Sequence, residues 1–146
     1  MRNDPRSPAT RELRMEKVVA SPLPAVWAAW TTEPGLARWW WNHWADVEID
    51  VDARVGGSYR FAAPHAGIVV TGTYLEVLEP TRLVFTWEWR DADGVQSGET
   101  VEVDFVDVDG ATLVAVVHRG PWAEESAADS YRQGWAFVLD ALARAE

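Results

Sequence analysis

The clearest structural signal in this chain lies at residues 100–118, which read TVEVDFVDVDGATLVAVVH. The first half alternates apolar with polar residues, and this period of two is typical of a strand with one wet face. Asp109-Gly110 then predicts a tight turn, because both residue types tolerate positive φ. A second apolar strand follows over residues 112–118. The stretch therefore predicts an antiparallel hairpin.

The segments on either side extend this hairpin into a sheet with helices at both ends. Further strands are predicted around residues 15–20, 47–51, 59–61, 68–78 and 83–89, with a loop over residues 91–97. Two short helices are predicted after the first strand, at residues 25–31 and 36–40. From residue 126, Tyr131, Trp135, Val138 and Leu142 form an apolar stripe at helical spacing. Because the strands are grouped apart from the helices, the fold class is α+β, with about six to seven antiparallel strands.

Composition bounds the possible functions. The chain has 146 residues, a hydrophobic fraction of 48%, ten tryptophans and no cysteine. This length suits one domain with a sizeable core. The lack of cysteine excludes disulfides, Cys-ligated metal centres and a thiol nucleophile. No apolar run approaches the roughly 20 residues that span a bilayer, so we expect a soluble, cytoplasmic protein without a membrane span.

Charge is distributed unevenly along the chain. Residues 1–17 carry five basic and three acidic groups, whereas the rest carries eight basic and twenty acidic groups. The acidic body argues against nucleic acid as a partner, since phosphate binding needs clustered basic side chains. The sequence therefore predicts a flexible basic leader over residues 1–14 and a single domain over residues 15–146.

A series of motifs occurs in order between residues 15 and 144. They are PAVWAAW at residues 24–30, ARWW at 37–40, DARVGGSYR at 52–60, GTYLEV at 72–77, RLVFTW at 82–87, HRG at 118–120, and the segment from Gly134-Trp135 to Leu142. Together they resemble the START-like, helix-grip superfamily, and within it the domains related to the activator of the heat-shock-protein-90 ATPase in their bacterial stand-alone form. The segment at residues 41–44, WNHW, departs from the usual pattern.

This resemblance implies a helix-grip fold, in which a curved antiparallel sheet wraps around a long C-terminal helix and encloses a cavity. It implies no cofactor, and the family name suggests a link to the stress response. The superfamily contains lipid carriers, cyclases, co-chaperone domains and proteins of unknown role, so membership does not specify a function.

Strand parity predicts which side chains face that cavity. The apolar faces of the strands and of the last helix point to the same interior. The predicted ligand-contacting residues are Trp39, Trp40, Phe61, Trp87, Trp89, Val101, Val103, Phe105, Val116, His118, Tyr131 and Trp135.

His118 and Glu99 are the candidate catalytic groups. His118 shares parity with Val114 and Val116, and Glu99 shares parity with Val101, so both can reach the interior. A buried carboxylate beside a histidine is the usual starting point for acid–base catalysis. The alternatives are a structural histidine held by one hydrogen bond and a solvent-exposed Glu99 at its strand edge.

The tryptophans at positions 39, 40, 41 and 44 are the most unusual local feature. Consecutive helical positions differ by about 100°, so we expect at least one ring to stay partly exposed, as a pocket lip, a dimer contact or a ligand gate. The acidic residues that alternate over 46–52 line a wet strand face, and the three histidines share no metal-binding spacing, so no metal site is predicted.

Three functions remain in order of preference. The first is a protein that binds an apolar or aromatic small molecule between sheet and helix. The second is a cyclase-like or dehydratase-like enzyme that uses His118 as acid–base, with Glu99 orienting it. The third is a protein-interaction module for a chaperone partner, and a homodimer is compatible with all three.

Overall fold

The computed structural model describes residues 11–145. The elements in chain order are β1 (Arg11–Val19), α1 (Leu23–Thr31), α2 (Glu33–Ala37), β2 (Glu48–Val51), β3 (Ser58–Ala63), β4 (Ile68–Leu78), β5 (Arg82–Asp91), β6 (Gly94–Val108), β7 (Ala111–Gly120) and α3 (Glu125–Ala145). The strands form one antiparallel sheet in the order β1-β7-β6-β5-β4-β3-β2. The predicted α+β, helix-grip class is confirmed.

The hairpin of β6 and β7 lies near one end of this order and joins β1 to the remaining strands. Its turn is at Asp109-Gly110, where both residues have positive φ, 53° and 88°. Val103 pairs with Val116 and Val101 with His118, so the apolar rows of the two strands share one face. This face is buried, which fixes the register because a slip of one residue would turn every side chain outward.

The first strand begins at Arg11, four residues before the position that the apolar pattern predicts. Residues 11–14, predicted as part of the leader, pair with residues 117–120 of β7. Backbone hydrogen bonds to β7 stabilise residues 11–14. The pattern of apolar and polar side chains does not predict this pairing. Arg11 also donates to the Glu125 carboxylate at 2.9 Å. The rest of the predicted leader, residues 1–10, lies outside the described residues.

The loop predicted over residues 91–97 is wrong in its extent. β5 continues to Asp91 and β6 already begins at Gly94, so the two strands form a tight hairpin. The Asp91 carboxylate accepts a hydrogen bond from the Asp93 backbone N–H at 2.8 Å, which stabilises the turn. Polar residues suggested a loop over residues 91–97. In the structure only residues 92 and 93 lie between the strands, and Asp91 and residues 94–97 belong to the paired strands β5 and β6.

The second short helix ends before the tryptophans rather than within them. α2 spans Glu33–Ala37, and Thr32 caps it by accepting from the Gly35 N–H at 3.1 Å. The chain then turns, and Trp41 adopts a φ of 50°. Trp39, Trp40 and Trp41 are all buried, whereas Trp44 is half-buried. The expectation that at least one of these four rings stays partly exposed is therefore confirmed by Trp44.

α3 lies against the concave face of the sheet and closes the core. Its buried residues are Ala128, Trp135, Val138, Leu139, Ala141 and Leu142. They pack with the inward residues of the strands and with α1 and α2 in one apolar cluster. No helix within residues 11–145 is long and apolar enough to cross a membrane.

Candidate functional site

The space between sheet and helices has a closed end and an open end. At the closed end, beneath α1 and α2, aromatic side chains leave a cavity of only about 10 Å³. Its lining consists of Trp30, Leu36, Trp40, Tyr59, Phe61, Tyr74, Leu83, Phe85 and Trp87. A volume this small holds at most one water molecule. This end of the interior is therefore largely filled by the protein's own rings.

Two neighbouring spaces lie at the open end, where α3 meets β5 and β6. The outer cavity measures about 90 Å³ and is lined by Trp40, Trp41, Trp87, Trp89, Ser130, Tyr131, Gly134, Trp135 and Val138. A cleft of about 280 Å³ adjoins it, since the two share three lining residues. The cleft is lined by Trp89, Asp91, Gln96, Ala127, Ser130 and Tyr131. This end offers an apolar space with a polar mouth.

Behind the outer cavity lies a buried polar triad of Glu99, His118 and Trp135. Glu99 is 3% exposed and His118 fully buried. His118 Nε2 is 2.9 Å from Glu99 Oε1, and Trp135 Nε1 donates to His118 Nδ1 at 3.0 Å. Because an indole N–H can only donate, Nδ1 must be the acceptor. The ring is therefore neutral, and its proton is on Nε2, from which it donates to Glu99.

This arrangement opposes protonation of His118. A second proton would be placed on Nδ1, where it would meet the N–H of Trp135, so that two donors would face each other. Burial lowers the pKa of His118, and the hydrogen bond that His118 donates to Glu99, together with the charge of Glu99, only partly offsets this effect. At neutral pH the triad holds a neutral imidazole with both ring nitrogens bonded to protein.

A bulge in β6 brings Glu99 to this position. Trp87 pairs with Glu99, whereas Trp89 pairs with Gln96, so β6 has one more residue than β5 between these pairs. Gly98 adopts a φ of 79° there, in the left-handed region that favours glycine. As a result, Glu99 is buried behind the outer cavity while Gln96 lines the adjoining cleft.

A second glycine makes room for the triad. A Cβ on Gly120 would lie 2.6 Å from the Trp122 ring and 2.9 Å from Glu99 Cγ. Trp122 in turn packs on the rings of His118 and Tyr131, with centroids 5.2 Å and 5.5 Å away. A side chain at position 120 would push this ring off the triad.

Tyr131 links the triad to the cleft. It is half-buried, its ring lies 4.5 Å from that of His118, and its hydroxyl donates to Gln96 Oε1 at 3.3 Å. Burial raises the pKa of Tyr131, and the charge of Glu99 raises it further. The nearby indole N–H of Trp87 lowers the pKa of Tyr131, although its position does not meet the geometry of a hydrogen bond. The phenol is thus a neutral hydroxyl at the mouth of the cavity.

The predicted ligand residues fall into three groups. Those at the open end are Trp40, Trp87, Trp89, Tyr131 and Trp135. Phe61 lines only the closed cavity. The others, Trp39, Val101, Val103, Phe105, Val116 and His118, are buried but line none of these three spaces. Parity identified the buried face correctly, yet burial does not distinguish a core residue from one beside a cavity.

Several residues at the open end were missed by the sequence reasoning. Asp91 and Gln96 lay in the supposed loop, and Ser130 and Gly134 are polar or small positions on α3. Spacing could have identified the last two, since Ser130 and Gly134 precede Val138 of the apolar stripe at intervals of four residues on the same helix. Trp122, which follows Gly120-Pro121, had no periodic pattern to place it.

Four indole N–H groups are buried without a hydrogen-bond partner among residues 11–145. They belong to Trp30, Trp40, Trp87 and Trp122. Most buried polar groups in proteins are bonded, and each unsatisfied donor costs about 1–3 kcal/mol. Other tryptophans have partners: Trp39 donates to the Ala29 carbonyl at 2.9 Å and Trp89 to Asp91 at 2.8 Å.

Metal binding has no geometric support in the described part of the chain. Within residues 11–145, no group of three or more His, Asp or Glu side chains is placed to hold an ion. The acidic residues at positions 48, 50 and 52 are exposed on and beside β2.

Comparison with solved structures places this architecture among bacterial proteins. The Mll3558 protein from Rhizobium loti is 18% identical with a TM-score of 0.79, and the match covers 94% of this chain and 98% of that one. CalU16 from Micromonospora echinospora is 24% identical with a TM-score of 0.70, covering 93% and 76%. DynU16, described as a putative protein in the dynemicin biosynthetic locus, is 22% identical with a TM-score of 0.75, covering 91% and 46%. At these identities the likeness establishes the fold alone.

Sequence comparison identifies the family. No curated protein gives a significant match to the chain. A family model described as "Activator of Hsp90 ATPase homolog 1-like protein" matches residues 20–145, which include all elements from α1 to α3. The chain therefore belongs to the family of Activator of Hsp90 ATPase homolog 1-like proteins.

Proposed function

We propose that this protein binds an apolar or aromatic small molecule at the open end of the space between the sheet and α3. The observation that carries the proposal is the outer cavity of about 90 Å³ beside a cleft of about 280 Å³. Aromatic walls with a few polar groups at the mouth are typical of small-molecule sites. Burial of a ligand against these walls contributes roughly 25 cal/mol per Å² of apolar surface.

Gly134 supports the same site independently. It lies in the middle of α3 and lines the outer cavity, yet a Cβ there would meet nothing within 4 Å. Glycine inside a helix costs about 1 kcal/mol relative to alanine. Since no protein atom requires a glycine at this position, its effect is to widen the outer cavity.

The geometry gives less support to the enzyme alternative. Both ring nitrogens of His118 are bonded to Glu99 and Trp135, and His118 lines neither space at the open end. A general acid or base must reach the proton that it transfers. A chaperone partner rests on the family name alone, and a homodimer and a cytoplasmic location stay predictions from the sequence.

The proposal is tested by titrating the protein with a panel of lipids, fatty acids and aromatic compounds. A ligand at the open end should alter tryptophan emission and raise the melting temperature, because it binds only the folded state. If the whole panel changes neither, the proposal fails.

A variant pair locates the site. Gly134→Leu places a side chain in the outer cavity, and we expect the ligand affinity to fall about tenfold or more. Gln133→Leu is the matched control, because Gln133 is an exposed neighbour on α3 that does not line the cavity. Equal losses in the two variants would place the ligand elsewhere.

A further inference from the structure

The cleft at the open end combines one carboxylate with aromatic rings. Among the described residues that line it, Asp91 is the only charged one. Trp89 and Tyr131 line both the cleft and the outer cavity, whose described lining includes no charged residue. A molecule that extends through both spaces therefore meets apolar walls at one end and a single negative charge at the other.

The Asp91 carboxylate is held in place and ionised. Its Oδ2 accepts from the Trp89 indole N–H at 2.8 Å, and its Oδ1 accepts from the Asp93 backbone N–H at 2.8 Å. The bond from Trp89 and then the bond from Asp93 lower the pKa of Asp91. Because both donors are neutral, they orient the charge without cancelling it.

No cation within residues 11–145 neutralises this charge. None of the ion pairs there includes Asp91, and its chain neighbour Arg90 pairs with Glu88 at 3.6 Å instead. Each carboxylate oxygen has two lone pairs, so Asp91 can accept further hydrogen bonds. The residue is half-buried, and salt screens a partly buried ion pair less than an exposed one.

The surroundings of the cleft favour a positive charge. Burial raises the pKa of Tyr131, and the charges of Glu99 and Asp91 raise it further, so the potential at this phenol is negative. No Lys, Arg or His is among the described residues that line either space. Indole and phenol rings are also common partners of organic cations. An anion would be desolvated here without a compensating cation.

We propose that the ligand is an organic cation whose ring occupies the outer cavity and whose protonated amine binds in the cleft, against the Asp91 carboxylate and the rings of Trp89 and Tyr131. This inference rests on the proposed function, because it uses the same two spaces. Amines joined to an aromatic ring by a short linker meet the description. Neutral alcohols and carboxylates of the same skeleton do not.

Three compounds with one skeleton test the inference by NMR chemical-shift titration at pH 7. They are 2-phenylethylamine as the cation, 2-phenylethanol as the neutral molecule and 3-phenylpropanoate as the anion. We expect the amine to bind about tenfold more tightly than the alcohol, and the anion to bind most weakly, because only the amine gains a charge-assisted bond to Asp91.

The other outcomes separate this inference from the proposed function. If the alcohol or the anion binds as tightly as the amine, the inference is overturned and the binding site stands. If none of the three binds, the inference is likewise overturned, and the wider panel described above decides the proposed function independently.

A matched pair of variants assigns the preference to one carboxylate. Asp91→Asn should reduce the preference for the amine over the alcohol to about threefold or less. Asp93→Asn is the control, because it changes the net charge equally at an exposed neighbour that does not line the cleft. Its preference should stay near tenfold. An unchanged preference in Asp91→Asn, or equal losses in both variants, would overturn the inference.

A measurement on the unmodified protein covers the case in which Asp91→Asn disturbs the turn. The methylene group next to the nitrogen of bound 2-phenylethylamine should give intermolecular nuclear Overhauser effects to the ring protons of Trp89 and Tyr131. These rings line the cleft together with Asp91. Effects from this methylene to other rings alone would overturn the inference.

Discussion

The two ends of the space between sheet and helices are built from the same residue type but differ in packing. At the closed end, Trp30 packs on Trp39 and Phe105 with ring centroids 4.8 Å and 5.7 Å apart, and a cavity of only about 10 Å³ remains. At the open end, Trp89 and Tyr131 meet edge to face with ring centroids 6.0 Å apart, and both line spaces of about 90 Å³ and 280 Å³. Both ends are rich in aromatic rings, yet only one leaves room for a ligand.

This difference shows that aromatic content does not identify a binding site. Rings at the closed end are covered by α1 and α2, so that they fill the core. Rings at the open end are covered only by the first half of α3, where Ser130 and Gly134 provide little side-chain volume. The small residues opposite the rings therefore decide where the cavity lies.

The largest effect is expected from truncation at the closed end. Phe105 is 2% exposed and contacts Trp27 and Trp30. Phe105→Ala should lower the free energy of unfolding by about 3–5 kcal/mol, because it leaves a cavity in a dense core. Trp89→Ala, at a half-buried ring of the open end, should cost about 1–2 kcal/mol. Urea denaturation measures both, and a larger loss for Trp89→Ala would contradict the contrast drawn between the two ends.

A smaller effect concerns the pH dependence of stability. Burial lowers the pKa of His118 in the folded state, so below the ordinary histidine pKa the unfolded chain binds a proton that the folded protein does not. The contribution of His118 to stability is therefore present above that pKa and lost as the pH falls through its folded value. Two other titratable side chains contact His118. Glu99 is the acidic one, and Tyr131 stays neutral over this pH range because its pKa is raised.

His118→Gln provides the comparison for this effect, since glutamine does not titrate. Unfolding free energies at pH 7.5, 6.5 and 5.5 should fall less steeply with decreasing pH in the variant than in the unmodified protein. The difference cannot exceed the slope set by one proton per molecule. Identical slopes would mean that His118 takes up its proton in the folded state as readily as in the unfolded chain.

The smallest effect is expected at Gly134. Gly134→Ala should raise the free energy of unfolding by about 0.5–1 kcal/mol, because alanine favours the helix and its Cβ meets no protein atom. Thermal unfolding without ligand measures the change. A loss of stability would show that the outer cavity is tighter than the structure indicates.

The pattern of side chains predicted most of the fold because the sheet has one wet and one buried face. Periods of two and of 3.6 locate the strands and α3 to within a few residues, and Asp109-Gly110 locates its turn. Errors arose where another interaction outweighs the pattern. Arg11 begins β1 through pairing with β7, and residues 94–97 extend β6 although they are polar.

The candidate site was predictable only in part. Strand parity placed Glu99 and His118 on the same side, and the structure brings them within 2.9 Å of each other. Strand parity could not show that Trp135 donates to the other ring nitrogen of His118, because Trp135 is on α3 and parity within the sheet does not determine how a helix docks on it. Trp39, Trp40 and Trp41 are all buried in a turn that follows the end of α2 at Ala37, and nothing in their spacing predicts this end or the positive φ of Trp41.

By itself the sequence determined the α+β class, the family, the hairpin at Asp109-Gly110 and several of the rings that face inward, because these depend on local periodicity and ordered motifs. Only the tertiary structure decided which rings fill the core, which line a cavity and which N–H groups find an acceptor. The physical reason is that packing and hydrogen-bond satisfaction depend on residues from distant strands and helices meeting in space. Trp39 and Trp40 are neighbours in the chain, yet the indole N–H of Trp39 donates to the Ala29 carbonyl and that of Trp40 has no acceptor among residues 11–145.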